Sequence, residues 1–216
     1  MIRAAVFDVD GTLLDSMDIW MTMGNRYLRT QGKDSDPELD QILYTMSLNQ
    51  GAEYLRTHYD IKKSRDEIMR EIVSMVEKFY LYEAKLKPGV KSLLEFLSEK
   101  KIPMTVATSS DKSYLWKCFQ RLDIDQYFRE IYTCGEYNTN KGNPLIYEKA
   151  SEHFSCKKEE IYVFEDLFLA AKTAHDAGFT VVGVYDFSSA KETEELQKIS
   201  KLYVKDFSKI SFDQLL

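Results

Sequence analysis

Residues 4–16 read AAVFDVDGTLLDS. An apolar run of strand length ends there in two carboxylates one residue apart, Asp8 and Asp10, which a glycine and a threonine follow at once. Ligands of open α/β sheets bind at the carboxyl ends of the strands, so this position suits a functional site. The ordinary alternative is a solvated strand end, because Asp-Gly is also a common turn signal. If the strand simply continued, Asp8 and Asp10 would point to the same face of the sheet and repel each other. A bound cation or an altered backbone would relieve that repulsion.

The composition is that of an ordinary globular protein. The chain has 216 residues, of which 44% are hydrophobic and 30% charged. Its 29 basic and 35 acidic residues give a net charge of −6, which argues against a nucleic-acid or membrane-surface partner. No apolar stretch approaches membrane-spanning length and no cleavage signal precedes the first strand, so we expect a cytoplasmic protein. Cys118, Cys134 and Cys156 lack the spacing of zinc or redox sites and are predicted to be reduced structural thiols.

The segment that follows the first motif is predicted to be helical up to about residue 86. Its apolar residues recur at spacings of three and four, and Ser64 with Glu67 has the spacing of a capping box. Asp36 followed by Pro37 predicts another helix start. Four helices are expected, over residues 17–30, 36–47 and 49–59 and from residue 64 onward.

The second part of the chain alternates between strands and helices. Strands are predicted over residues 103–107, 131–133, 161–164, 180–184 and 202–204. Helices are predicted over residues 88–99, 112–122, 144–154 and 167–177, from residue 190, and at the end of the chain. Such alternation implies a parallel sheet with helices on both faces. We therefore predict an α/β core, residues 1–15 and 87–216, interrupted after its first strand by a helical domain, residues 16–86.

Three further polar clusters lie in loops that follow predicted strands. They are Thr108-Ser109-Ser110, Lys141 in the loop before a helix, and Glu165-Asp166. Taken singly, they are explained as a helix N-cap, a solvated lysine and an acidic pair at a helix N-terminus. Their joint order after Asp8 and Asp10 is far less expected by chance and suits phosphoryl transfer.

The carboxylates are hard oxygen ligands of the kind that Mg²⁺ takes while it keeps waters and a substrate phosphate oxygen. Asp8, Asp10 and Asp166 are the expected ligands, with Glu165 nearby. Asp8 is the expected nucleophile on phosphorus, which would give an aspartyl phosphate. Asp10 would protonate the leaving alcohol and later take a proton from the hydrolytic water.

The other phosphate oxygens need positive charge and hydrogen-bond donors. Lys141, the Thr108 hydroxyl and a helix N-terminal amide near Ser109 are the candidates for that role.

These residues carry a resemblance to the haloacid dehalogenase superfamily. The segment FDVDGTLLDS, residues 7–16, resembles its first motif, and the three later clusters match its second, third and fourth motifs in order. The resemblance covers essentially the whole chain and implies a Rossmann-like core with an α-helical cap. It also implies that Asp8 is the nucleophile and Asp10 the acid/base, that Thr108 and Lys141 bind phosphate, and that Asp8, Asp10 and Asp166 bind Mg²⁺, with Glu165 a possible further ligand through water.

Several positions discriminate within that family. Dehalogenases and phosphonate hydrolases of the superfamily lack the second aspartate, so Asp10 favours phosphate monoesters. β-Phosphoglucomutases share the motifs and carry a histidine where this chain has Trp20, which favours hydrolysis over a sugar phosphomutase activity. The loop after Lys141 lacks a proline and an aspartate common in relatives, and Leu167 and Ala170 stand where a serine and a glycine are common.

Substrate selection is assigned to the helical domain. Its candidates are Trp20, Asn49 and Gln50, with Tyr44 and Met46, although aromatic residues and Met at helical spacing are as often core residues. The expected partner is a small phosphorylated metabolite, a sugar or polyol phosphate, and the expected state is a monomer or weak dimer. A non-catalytic binding module with the same fold is the alternative of another class, but it predicts a lost nucleophile, lysine or metal carboxylate, and all are present.

Overall fold

A computed structural model describes residues 1–44 and 46–216 of the chain. It divides into two compact units, one formed by Met1–Asp15 with Ala84–Leu216 and the other by Ser16–Glu83. None of the helices described is long and apolar enough to cross a membrane. Cys118, Cys134 and Cys156 are free thiols, as predicted.

The first unit is built on a sheet of six parallel strands, which confirms the predicted α/β class. The strands of the chain are β1 (Ala4–Phe7), β2 (Leu14–Asp15), β3 (Lys85–Leu86), β4 (Met104–Thr108), β5 (Phe128–Thr133), β6 (Ile161–Glu165), β7 (Thr180–Val184) and β8 (Leu202–Val204). Their order in the sheet is β5-β4-β1-β6-β7-β8, while β2 and β3 form a separate antiparallel pair. The strands β4 and β5 lie on one side of β1, and β6, β7 and β8 lie on the other. The strand order therefore reverses next to β1, and ligands of open α/β sheets bind at such switch points.

The helices follow the predicted periodicity, with shifted ends. They are α1 (Met17–Met21), α2 (Met23–Thr30), α3 (Leu39–Tyr44), α4 (Leu48–His58), α5 (Arg65–Tyr82), α6 (Val90–Glu99), α7 (Lys112–Arg121), α8 (Leu145–Ser151), α9 (Phe168–Asp176) and α10 (Thr193–Ile199). Short 3-10 turns at residues 125–127, 158–160, 190–192, 207–209 and 212–215 connect or end them.

The β1 strand is buried along its whole length because it lies in the middle of the sheet. It pairs with β4 on one side and β6 on the other, and Val6 lies opposite Val163. Phe7 stacks on Phe164 with ring centroids 4.3 Å apart. Burial on both faces explains why the strand is a continuous apolar run and not an alternating one. Packing therefore fixes the end of β1, and this in turn positions the polar residues that follow the strand.

The Ser16–Glu83 unit is helical and has its own core. The predicted capping box is present, because Ser64 Oγ accepts from the Glu67 amide while Glu67 accepts from the Ser64 amide over 2.8 Å. The buried members of its core are Tyr27, Leu28, Leu39, Ala52, Leu55, Ile61, Ile68 and Ile72. The predicted helix over 17–30 is in fact two helices, because Thr22 leaves the helical conformation at φ −120°, ψ 11°.

Other predicted bounds are wrong for local reasons. Residues 16–86 are not all helical, because Lys85–Leu86 pairs with Leu14–Asp15. The helix expected over 144–154 ends at Ser151, and the helix from residue 190 begins with a 3-10 turn. Asp111, not the preceding Thr-Ser-Ser run, caps α7, since its side chain accepts from the Ser113 amide over 2.7 Å.

Candidate active site

The turn that follows β1 is wound around a single carbonyl. Val9 O accepts hydrogen bonds from the amides of Thr12, Leu13 and Leu14, at 3.3, 2.9 and 2.8 Å. Gly11 lies in the left-handed region at φ +82°, where a residue without a Cβ is favoured. The strand therefore does not continue past Phe7, and Asp8 and Asp10 lie on a turn and not on one face of an extended strand.

Asp8 lies directly after the central strand and is 5% exposed. Its carboxylate accepts a hydrogen bond from the Lys141 ammonium. Burial raises the pKa of Asp8 above its ordinary value, although the positive charge of Lys141 opposes that shift. The candidate nucleophile thus has a cation against it and little access to bulk water.

Lys141 joins two buried carboxylates. Besides Asp8, its ammonium donates to Glu165 Oε1 over 2.6 Å, and the same oxygen accepts from the Tyr147 hydroxyl over 2.8 Å. Burial lowers the pKa of Lys141, but the charges of Asp8 and Glu165 outweigh it and raise the pKa above the ordinary value. The lysine is therefore held charged and oriented despite the unusual loop that carries it.

Asp166 follows β6 and completes a buried acidic cluster. Carboxylate oxygens of Asp8, Glu165 and Asp166 lie within 4.8 Å of one another. Asp166 Oδ1 accepts from the Thr12 hydroxyl over 3.4 Å. Burial, with the charges of Asp8 and Glu165, raises the pKa of Asp166 well above its ordinary value.

The cluster has the chemistry of a cation site. Glu165 Oε2 and Asp166 Oδ2 are buried and have no hydrogen-bond partner in the part of the chain that the structure describes. Three carboxylates face one ammonium, so negative charge is left uncompensated, which is costly in a buried place. The atoms that these three carboxylates offer to a metal are all oxygens, which are the ligands that a hard divalent cation prefers. These residues therefore fit a divalent cation such as Mg²⁺, because two of their buried carboxylate oxygens have no hydrogen-bond partner in the described part of the chain.

Asp10 and Thr108 are linked through Ser110, which follows β4. Ser110 donates its hydroxyl hydrogen to Asp10 Oδ2 over 2.6 Å, and its amide donates to the Thr108 hydroxyl over 3.1 Å. Thr108 is fully buried, whereas Ser109 is exposed and its hydroxyl lies 3.7 Å from Cys134 Sγ. The structure thus brings together the first motif and the Thr-Ser-Ser run through Ser110.

Comparison of the sequence with known proteins identifies the family of the chain. The model of the haloacid dehalogenase-like hydrolases matches residues 5–184. The chain belongs to that family. A phosphorylated carbohydrates phosphatase of Thermotoga maritima is 26% identical over 177 residues, which cover 82% of each chain. A protein of Drosophila melanogaster named a probable pseudouridine-5'-phosphatase is 29% identical over 93% of this chain and 90% of its own.

Comparison with a solved structure agrees with this family assignment. The crystal structure of a candidate β-phosphoglucomutase from Thermotoga maritima superposes with a TM-score of 0.83 at 25% identity and covers 95% of each chain. The predicted haloacid dehalogenase-like fold is therefore confirmed over 95% of the chain.

The substrate-selection candidates of this haloacid dehalogenase-like hydrolase lie in the Ser16–Glu83 unit. Trp20 is half-buried and donates from Nε1 to the Tyr80 hydroxyl over 3.0 Å. Gln50 accepts from the Ser47 amide over 2.9 Å in a capping box that begins α4, which gives it a structural role. Asn49 is exposed and Met46 half-buried, while the side chain of Tyr44 lies outside the described part of the structure. Their assignment to substrate selection stays a prediction.

Sequence reasoning missed four residues that support the site: Thr12, Lys87, Ser110 as a partner of Asp10, and Tyr147. Thr12 and Ser110 stood inside recognised motifs, so their place next to the carboxylates was a usable signal. Tyr147 lies six residues after Lys141 and its bond to Glu165 spans two elements, which no local pattern reveals.

Proposed function

We propose that this phosphatase of the haloacid dehalogenase-like hydrolase family hydrolyses phosphate monoesters of small metabolites, sugar or polyol phosphates, with Mg²⁺ and through phosphoryl transfer to Asp8. The observation that carries the proposal is the cluster of Asp8, Glu165 and Asp166 with two unpartnered buried oxygens. Lys141 within the cluster supplies the one buried ammonium that contacts Asp8 among the described residues.

The ion would be held by the carboxylates of Asp8 and Asp166, by the Asp10 backbone carbonyl and, directly or through water, by Glu165. When bound, Mg²⁺ supplies electrostatic stabilisation of negative charge on the transferring phosphoryl group. The protein's part is to keep these oxygens converged, which the buried positions after β1 and β6 do.

Asp8 acts as the nucleophile. A carboxylate oxygen of Asp8 forms a bond to phosphorus while the bond between phosphorus and the alcohol oxygen breaks. Asp10 gives its proton to that leaving oxygen and later accepts a proton from the water that attacks the aspartyl phosphate, which releases phosphate and restores Asp8. Ser110 supports the assignment because its hydroxyl fixes one oxygen of Asp10.

Lys141, Thr108 and the backbone near Ser109 bind the phosphate. Lys141 offers charge next to Asp8, and the Thr108 hydroxyl accepts from Ser110 N, so its own hydrogen can be donated to a phosphate oxygen. Such donors stabilise the charge that spreads over the phosphoryl oxygens in the transition state.

The phosphorylated carbohydrates phosphatase and the probable pseudouridine-5'-phosphatase that this chain resembles support a sugar-bearing substrate. A phosphomutase is the second candidate, because the resembling Thermotoga maritima structure is named for that activity. Trp20, in place of the mutase histidine, favours hydrolysis.

A panel of sugar, polyol, nucleotide and aryl phosphates tests the proposal. Release of inorganic phosphate is measured with Mg²⁺ and after chelation, for the wild type and for Asp8→Asn. We expect turnover of several sugar or polyol phosphates that chelation and Asp8→Asn abolish. Conversion of a sugar phosphate to its positional isomer without net phosphate release would favour the mutase, and absence of any turnover would favour the non-catalytic module.

A further inference from the structure

Lys87 is a half-buried lysine outside the four motifs. It lies directly after β3 and its side chain is 12% exposed. Its ammonium donates to Asp186 Oδ2 over 2.8 Å, to Tyr185 O over 2.6 Å and to Gly11 O over 2.8 Å. These three acceptors can use all three ammonium hydrogens. A lysine whose three ammonium hydrogens all have acceptors is held in one position.

Two of the groups that Lys87 contacts belong to the turn of the first motif. Its ammonium bonds Gly11 O, and its backbone amide bonds Leu13 O over 2.9 Å. Gly11 follows Asp10 directly, and Thr12 of the same turn contacts Asp166. Lys87 therefore holds the carbonyl next in the chain to the candidate acid/base.

Asp186 keeps Lys87 in place. Its carboxylate is 2% exposed, and its Oδ1 accepts from the Ser188 amide over 2.9 Å and from the Ser188 hydroxyl over 2.7 Å. Within the described ranges, the hydrogen bonds of this carboxylate lead to Lys87 and to Ser188 in the loop after β7. The pair thus ties the end of β7 to the first-motif turn across three separate segments of the chain.

We propose that Lys87, held by Asp186, is a positioning residue that sets the turn carrying Asp10 so that Asp10 can protonate the leaving alcohol. The proposal rests on the proposed function, because it concerns the proton transfer of that reaction. Lys87 touches neither the phosphate nor the reacting atoms and acts through the Gly11 carbonyl. Nothing in the four motifs requires a lysine here, so the role belongs to the fold around them.

The chemistry gives this role a signature that stability alone lacks. An alkyl phosphate expels a strongly basic alkoxide unless a proton is delivered, whereas p-nitrophenyl phosphate expels a weakly basic phenolate that needs little help. A displaced Asp10 therefore lowers kcat/KM for the alkyl ester more than for the aryl ester. Partial unfolding lowers both equally, because it only reduces the amount of active protein.

The test compares the wild type, Lys87→Met and the double variant Lys87→Met/Asp186→Asn on p-nitrophenyl phosphate and glycerol phosphate with Mg²⁺. The double variant removes both charges, so it leaves no unpaired buried carboxylate if Lys87→Met alone does not fold. Lys91→Met/Asp123→Asn is the matched control, because Lys91 and Asp123 form a 2.8 Å ion pair in the same unit on exposed side chains.

We expect the double variant to lose kcat/KM for glycerol phosphate by ~10–100-fold and for p-nitrophenyl phosphate by less than about 3-fold, with the control unchanged. Equal losses for both esters, or no loss in a folded variant, overturn the positioning role and leave the proposed function standing. A wild type that hydrolyses neither ester overturns the proposed function and, with it, this inference.

Discussion

Ser110 Oγ and Asp10 Oδ2 are joined by a 2.6 Å hydrogen bond between residues 100 positions apart in the chain. The bond leaves one carboxylate oxygen of Asp10 fixed against the end of β4, so the other oxygen keeps a constant direction. Proton transfer depends on such orientation, since donor and acceptor must lie within hydrogen-bond reach.

Ser110→Ala removes that bond to the Asp10 carboxylate and so weakens its orientation. We expect kcat/KM for alkyl phosphates to fall about 10-fold, which is less than the ~10²-fold or more that general acid catalysis contributes. Steady-state kinetics measure it, and Ser109→Ala, which removes an exposed hydroxyl of the same run, is the control. An unchanged kcat/KM in Ser110→Ala would show that the bond does not orient Asp10 during turnover.

Tyr147→Phe removes one of the two donors to Glu165 Oε1 and leaves the Lys141 bond in place. We expect the Mg²⁺ concentration for half-maximal activity to rise about 10-fold, because groups that orient metal ligands typically affect affinity by ~10–100-fold. A titration of activity against Mg²⁺ measures it. Tyr132→Phe is the control, since no hydrogen bond of the Tyr132 hydroxyl is found within the described ranges; equal behaviour of both variants would contradict the role of Tyr147.

The pH dependence of stability follows from the raised pKa values of Glu165 and Asp166. A carboxyl group whose pKa is higher in the folded than in the unfolded protein stabilises the fold when protonated, and that contribution is lost as pH rises above the unfolded value. Through Glu165, the metal-free free energy of unfolding should therefore fall as pH rises from its ordinary pKa of 4.5 through its folded pKa of about 7, and Asp166 contributes in the same direction. Mg²⁺ binds the ionised carboxylates, so its stabilisation should grow over the same window.

Urea unfolding with and without Mg²⁺ at several pH values measures that difference. Asp166→Asn should remove most of the Mg²⁺-dependent part, since it deletes a proposed ligand. Stabilisation by Mg²⁺ that is independent of pH, or that survives Asp166→Asn unchanged, would rule out this cluster as the metal site.

Trp20→Phe tests the structural role of Trp20. The substitution deletes the 3.0 Å bond from Nε1 to the Tyr80 hydroxyl, and we expect the free energy of unfolding to fall by about 0.5–1.5 kcal/mol. The kcat/KM for p-nitrophenyl phosphate should stay within about 2-fold of the wild type, because an aryl ester makes no demand on sugar recognition. Unchanged stability with altered selectivity among sugar phosphates would instead place Trp20 at the substrate.

The sequence predicted the sheet well because its strands are buried on both faces and therefore appear as continuous apolar runs, as Ile161–Glu165 and Thr180–Val184 do. It also predicted that Asp8, Glu165 and Asp166 meet, since residues after parallel strands converge at one edge of the sheet. The two-residue strands Leu14–Asp15 and Lys85–Leu86 were missed because their pairing is between distant segments and leaves no periodicity.

The supporting contacts of the site were beyond sequence reasoning for a similar reason. The bonds of Tyr147 to Glu165 and of Lys87 to Asp186 join different elements, and neither pair has a spacing that marks it. Gln50 is predicted as a substrate residue, and that prediction is untested; its side chain also closes a capping box with Ser47, which the sequence reasoning did not foresee. Polar residues near a helix start satisfy the backbone so often that this explanation competes with any functional one.

The central claim is that Asp8 becomes phosphorylated during turnover. The wild type and Asp8→Asn are mixed with Mg²⁺ and an alkyl phosphate that is radiolabelled at phosphorus, and the reaction is quenched in acid. The label on the protein is counted before and after treatment with hydroxylamine, which cleaves acyl phosphates. We predict a hydroxylamine-sensitive label on the wild type that maps to the peptide containing Asp8 and is absent from Asp8→Asn. Label that persists in Asp8→Asn, or hydrolysis by the wild type with no label at any quench time, would contradict the account.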